Sequence, residues 1–126
     1  MLYSRLRGIP ESEIKEASQI LLALLGIDQY ADQKVLGYSG GTKRKLSVAI
    51  AMIGGPPLLI LDEPSCGLDP SARHKLWSVI KRARNDNIAI LLTSHSMEEC
   101  AALCNRLGTA QNHYLHLRFL RFILEH

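Results

Sequence analysis

Apolar positions fall at helical spacing in the first half of the chain and in short unbroken runs in the second. In PESEIKEASQILLALLG, residues 10–26, the apolar residues Ile14, Ala17, Leu21, Leu24 and Leu25 share one helical face. This predicts an amphipathic helix. Glu11 and Glu13 stand in its first turn, where the helix dipole favours acids, and Gly26 supplies a stop. After a short polar connector, a second helix is predicted from Gly40 or Gly41 to Ile53, with Leu46, Ile50 and Ile53 on one face. The run GGPP, residues 54–57, breaks it.

The pattern then changes. LLIL, Leu58 to Leu61, has no polar alternation, which predicts a strand covered on both faces, as in a parallel sheet. Asp69 as N-cap and Pro70 at the first helical position open a third helix, whose core face carries Leu76, Val79, Ile80 and Ala83. After the turn NDN, Ile88 to Thr93 predicts a second buried strand. Ser96 and Glu99 have the spacing of a capping box for the next helix. Strand, helix, strand, helix is a βαβα unit with two parallel strands and a right-handed crossover. Two strands alone cannot form the covered sheet that their apolar character demands. The chain therefore reads as α/β, part of a larger domain, with an all-helical piece of about 50 residues attached in front.

A length of 126 residues fits one domain, and 47% hydrophobic with 21% charged residues is ordinary for a globular chain. The net charge of +3 gives no reason to expect a nucleic-acid partner. Lys43-Arg44-Lys45 lacks interleaved aromatics and reads as a solvated helix face. No apolar run approaches the roughly 20 residues of a membrane span, so no transmembrane segment is expected. Arg5 and Arg7 interrupt the opening residues, and no signal-peptide core follows. The three cysteines, Cys66, Cys100 and Cys104, are too few and too odd for a disulfide framework and fit a reducing setting. Cys100 and Cys104 with His95 suggest a metal site, but a fourth ligand at sensible spacing is missing, and the favoured reading is small buried thiols.

Candidate chemistry begins with GYSGGTKRKLS, residues 37–47. Placed on the phosphate-loop pattern G-x-x-x-x-G-K-[ST], it has Thr42 in place of the second glycine and Arg44 in place of the hydroxyl, and no other stretch fits. Ser39, Gly40 and Gly41 can still offer a hydroxyl and open backbone N–H groups to an anion at a helix N-terminus. The alternative is a glycine-rich helix entry. LLILDEP places Asp62 and Glu63 just past a buried strand, at the sheet edge where ligands bind in open α/β folds. An Asp there can hold Mg²⁺ through water, and the next Glu can polarise a water for attack on a γ-phosphate. The alternative is a solvated acidic turn. His95 follows the second strand and should reach the same edge, where an imidazole can touch phosphate.

The order YSGG, LLILDEP, SCGLDP, LLTSH resembles the ATP-binding-cassette family, in the order signature motif, Walker B, D-loop and switch histidine. LYSRLRGIP, YSGGTKRKLS, LDEPSCGLDP and LTSHSMEEC are similar to the lipid-moving A subfamily, and the likeness runs from about Leu2 to Leu107. It implies a partial P-loop NTPase domain: a helical subdomain with the signature over residues 1–53 and a Walker B, D-loop and switch-His portion over 54–107. It further implies that Ser39, Gly40 and Gly41 contact the γ-phosphate of ATP held by a second nucleotide-binding domain. Asp62 would bind Mg²⁺ via water, Glu63 would be the catalytic base and His95 the switch histidine. Ser65, Cys66, Gly67, Leu68 and Asp69 match the D-loop at the dimer interface. The implied cofactors are ATP and Mg²⁺. The implied partners are that second domain and transmembrane domains, at the cytoplasmic face of a membrane.

Tyr38 stands for the usual Leu of the signature and Thr42 for its usual Gln. No Walker A, adenine-stacking aromatic or Q-loop accompanies these motifs, so the isolated chain is expected to be inactive alone. A non-catalytic piece that docks on a partner domain is the rival reading. DNA-repair and chromosome ATPases share the signature but place long coiled coils before it. Residues 108–126 depart from the family pattern, and Tyr114 to His126 can form an amphipathic helix with Arg118, Arg121 and Glu125 opposite Leu117, Leu120 and Leu124.

Overall fold

Helix α1 covers Leu2–Leu6 and helix α2 Glu11–Leu24, followed by two short 3-10 turns, Asp28–Tyr30 and Val35–Gly37. Helix α3 (Gly40–Met52) leads to strand β1 (Leu58–Asp62), helix α4 (Pro70–Asn85), strand β2 (Ala89–Thr93), helix α5 (Met97–Leu103) and strand β3 (Phe119–Leu120). These come from a computed structural model that describes residues 2–86 and 88–108, and the backbone of 119–120.

Local sequence accounts for the main boundaries. Ser39 caps α3, its side chain accepting from the Thr42 amide, and Asp69 caps α4 by accepting from the Ala72 amide. Pro70 sits at the start of α4, where its missing N–H costs nothing. Gly54 and Gly55 both take positive φ after α3, which ends the helix where the sequence placed its break.

Strands β1 and β2 pair in parallel, from Leu58 opposite Ala89 to Asp62 opposite Thr93. Their inner residues Leu59, Leu61, Ile90 and Leu92 pack with Leu76, Trp77, Ile80 and Ala83 of α4. Leu25, Ile27, Val48 and Ala49 belong to the same core, so the helical front piece and the βαβα unit are packed as one body.

Three expectations change. β1 is not covered on both faces: Leu58 and Ile60 are 52% and 63% exposed. The apolar run specified two buried faces, but the described residues supply cover for one. In α3 the buried stripe runs through Thr42, Val48 and Ala49 to Ile53 in the C-cap, while Leu46 and Ile50 are only half-buried, because the helix faces the sheet core on its Val48 side. In the tail, Phe119 and Leu120 extend beside β2, antiparallel to Leu91 and Ile90, rather than coiling into a helix. The edge of β2 offers ladder hydrogen bonds that an isolated helical turn lacks. The rest of the helix expected over 114–126 lies outside the described residues.

Candidate functional site

The parallel register sets the site. Pairing Asp62 with Thr93 brings the ends of β1 and β2 level, so the residues that follow each strand leave the sheet together. The Thr93 hydroxyl donates to Asp62 Oδ1, and the Glu63 amide donates to the Thr93 carbonyl at 3.0 Å. Two residues beyond Thr93, His95 Nδ1 lies 2.7 Å from Glu63 Oε2. Asp62, Glu63 and His95 therefore do meet at one sheet edge.

Glu63 has φ of 45°, a left-handed conformation taken by no other non-glycine among the described residues. Such a backbone costs a side-chain-bearing residue about 1–2 kcal/mol. The turn that follows explains how it is held: the Cys66 amide donates to the Glu63 carbonyl at 3.1 Å, and the Leu68 amide to the Ser65 carbonyl at 3.2 Å. Gly67 provides the positive φ of 75° that the second turn needs. Ser65 and Leu68 are buried, while Cys66 is exposed. Asp69 closes the loop as the α4 cap. The Ala72 amide, donating to its carboxylate, holds that carboxyl below the usual carboxylate range.

A cleft of about 320 Å³ opens between this loop and the His95 turn. Glu63, Ser65, Cys66, Arg73, His95 and Glu99 line it. A carboxylate has about four lone-pair sites, so Glu63 can accept from His95 and still accept from a water in the cleft. Asp62 is exposed, and its carboxylate is the hard oxygen donor that Mg²⁺ requires. Among the described residues no group of three or more His, Cys, Asp or Glu is placed to hold an ion. A single exposed carboxylate is compatible with a cation that keeps most of its own waters. Cys100 is buried and Cys104 half-buried, as small thiols packed at the end of α5.

Ser39, Gly40 and Gly41 do not line the cleft. Ser39 binds within its own helix entry, its Oγ 2.8 Å from Thr42 Oγ1 and accepting from the Thr42 amide at 3.1 Å. Gly40 faces open space, whereas a Cβ on Gly41 would meet Leu68 of the loop after Glu63. Residues 39–41 and the cleft are thus separate surfaces, connected through Leu68.

Sequence reasoning missed Thr93, Arg73, Trp77 and Glu99. Thr93 could have been found from the parallel register. Glu99 was assigned to a capping box, and only half of that box forms: Ser96 Oγ accepts from the Glu99 amide at 3.3 Å. The returning bond is absent because the Ser96 amide already donates to Ser94 Oγ, and the Glu99 carboxylate has turned to Trp77 Nε1 at 3.0 Å.

Residues 12–101 match the family model described as "AAA domain, putative AbiEii toxin, Type IV TA system". The human "Retinal-specific phospholipid-transporting ATPase ABCA4" is 56% identical over 107 residues, covering 85% of this chain. The human "Phospholipid-transporting ATPase ABCA3" is 53% identical over 108 residues, 86% of this chain. The mouse "ATP-binding cassette sub-family A member 7" is 47% identical over 111 residues, 88% of this chain. The chain spans only 5–6% of the length of these relatives. A solved "Structure of ATP binding subunit of ABC transporter" superposes with a TM-score of 0.71 at 29% identity, covering 82% of this chain and 45% of that one. With relatives at 47–56% identity over most of its length and an α/β fold of the P-loop NTPase type, the chain belongs to the ATP-binding-cassette family, in its A subfamily.

Proposed function

We propose that this chain forms part of a Mg²⁺-dependent ATPase domain whose hydrolysis drives movement of lipid across a membrane. The observation that carries the reading is the 2.7 Å contact between His95 Nδ1 and Glu63 Oε2, beside Asp62 at the strand ends. Glu63 acts as the base that orients and polarises the attacking water. His95 fixes the Glu63 carboxylate and presents the rest of its ring towards the γ-phosphate. Asp62 holds Mg²⁺ through water, and the ion, when bound, neutralises charge on the phosphates. Ser39, Gly40 and Gly41 meet the γ-phosphate on a second nucleotide-binding domain, which suits their position away from the cleft. The D-loop residues Ser65, Gly67, Leu68 and Asp69 cross the interface to that domain.

Residues 1–53 act as the helical subdomain with the signature, 54–107 as the Walker B, D-loop and switch-His portion, and 108–126 as a divergent tail. The exposed Leu58 and Ile60 favour a further layer of the same domain over β1. The assembly works at the cytoplasmic face of a membrane, joined to transmembrane domains. Among the described residues no helix is long and apolar enough to cross one. Lipid as cargo is taken from the A-subfamily relatives.

The rival reading is a non-catalytic piece that docks on a partner domain. One experiment separates the two. The chain is joined to a segment carrying a P-loop and Q-loop and paired with a second nucleotide-binding domain. The expected outcome is ATP hydrolysis that Glu63→Gln lowers by about 10²–10⁴-fold, with ATP still bound. Near-parental turnover in Glu63→Gln would show that this composite site is not the hydrolytic one.

A further inference from the structure

Glu99 is 0% exposed, and its Oε2 has no hydrogen-bond partner among the described residues. Burying a carboxyl with one oxygen unpartnered costs far more than burying a leucine of similar size. Packing alone therefore does not account for a glutamate here. Its other oxygen, Oε1, accepts from Trp77 Nε1 at 3.0 Å, a buried bond between the first turn of α5 and the middle of α4. Arg73, one turn earlier on α4, reaches the Leu68 carbonyl and the Glu98 carboxylate, both at 3.5 Å. Those contacts are long, and Glu98 is mostly exposed, so they hold little. Beside the apolar packing of Leu103, the Trp77–Glu99 bond is the short, buried polar contact that sets α5 on α4 among the described residues.

This matters because, among the described residues, Glu63 is the one side-chain partner that holds His95. It sits between Ser94 and Ser96, which are tied by the bond from the Ser96 amide to Ser94 Oγ, and Ser96 is the N-cap of α5. Where the first turn of α5 lies decides where the imidazole lies. We propose that Glu99 is a positioning residue for His95: through Trp77 it sets α5 so that the ring reaches the Glu63 carboxylate. Asp69, capping α4 through the Ala72 amide, attaches the loop after Glu63 to the same helix, so α4 carries both loops that wall the cleft. The functional consequence rests on the reading of Glu63 and His95 given above, while the geometric claim stands without it.

The test reads which ring nitrogen of His95 carries the proton, from a long-range ¹H–¹⁵N spectrum of the full chain above the imidazole's titration range, with the ring identified by its loss in His95→Gln. Nδ1–H is expected, because that nitrogen faces a carboxylate. Glu63→Ala gives the signature of an unset ring. Glu99→Leu and Trp77→Phe are both expected to move His95 to that signature, with the fold intact by circular dichroism. Glu99→Gln, whose amide oxygen can still accept from Trp77, is expected to keep the parental signature. Should Glu99→Leu fail to fold, Trp77→Phe, which retains an aromatic ring in the core, decides the question. A folded Trp77→Phe chain with parental His95 overturns the proposal, as does a parental chain already matching Glu63→Ala. In the assembled ATPase, Trp77→Phe should lower kcat by about tenfold or more with KM for ATP unchanged. If the parental assembly does not turn over, the ATPase reading fails and the tautomer result still judges the positioning claim.

Discussion

A methyl group placed on Gly41 would lie 3.1 Å from Leu68 Cδ2, so the entry of α3 and the loop after Glu63 are packed against each other through a missing side chain. Gly to Ala inside a helix ordinarily stabilises by about 0.5–1 kcal/mol. Here the gain is offset, because buried Leu68 must give by a few tenths of an ångström, and it stands between Gly67 and the Asp69 cap. Gly41→Ala is expected to leave stability within about 1 kcal/mol of the parent while lowering turnover of the assembled ATPase. The two positions should couple: in a double-mutant cycle with Leu68→Ala, denaturant unfolding should show an interaction energy of about 0.5–3 kcal/mol. Strict additivity would show that the contact transmits nothing.

Glu63 gives a second trade between stability and use. Its left-handed φ of 45° is strained for any residue with a Cβ. Glu63→Gly should relieve about 1–2 kcal/mol of that strain and return about 0.5–1 kcal/mol as extra freedom of the unfolded chain. The expected net is a neutral to slightly stabilised chain that cannot hydrolyse ATP in the assembly. Chemical denaturation measures it, and a loss of more than about 1 kcal/mol would mean that the backbone is not strained in solution.

Much of this site was legible before any geometry. The pairing of Asp62 and Glu63 with His95 followed from one rule, that parallel neighbours bring their C-terminal ends to one edge. The cap at Asp69 followed from a side chain that satisfies an amide one turn on, whereas Ser39, read as a hydroxyl for an anion, proved to cap α3 in the same way. What stayed hidden depends on side chains choosing among distant partners. Glu99 had the spacing of a capping box, but Ser94 took the amide it would have bonded, and Trp77, 22 residues away in sequence, took its carboxylate. The double-sided burial read from LLIL describes what those residues suit, which exceeds the cover that the described residues give Leu58 and Ile60.

Asp69 predicts a pH dependence with a definite sign. The Ala72 amide, donating to its carboxylate, depresses the folded-state pKa below the model-peptide value of 3.8. A depressed carboxyl contributes stability that is complete above its unfolded pKa and is lost as pH falls through its folded one. Asp69→Asn keeps a capping oxygen but cannot titrate. The parent is therefore expected to lose stability relative to Asp69→Asn only on acidification from about pH 4 downward, and to track it at neutral pH. Thermal melts of both chains across that range measure the difference. A gap that opens instead between pH 6 and 8 would assign the dependence to a histidine.

Nucleotide affinity separates the chain from the assembly it is proposed to join. A P-loop supplies a nest of backbone N–H groups and a lysine to the phosphates, and no stretch of the 126 residues has that pattern. The cleft that is present sets the carboxylates of Glu63 and Glu99 against Arg73 and His95, with Asp62 beside it, so its positive charge is largely balanced and holds a polyphosphate poorly in the absence of metal. The N-terminus of α3 can attract one anion, but the Ser39 hydroxyl is already engaged by Thr42. What remains is one helix N-terminus that can attract an anion and the exposed Asp62 carboxylate proposed for Mg²⁺. The chain alone is expected to bind MgATP with a Kd of about 1 mM or weaker, near 4 kcal/mol, by titration calorimetry. Pairing it with a domain that carries a nucleotide-loaded P-loop should tighten binding, and Ser39→Ala should reverse the gain if the signature reaches the partner's phosphate. A submicromolar Kd for the chain alone would mean that it carries a phosphate site of its own, and the composite reading of Ser39, Gly40 and Gly41 would fall.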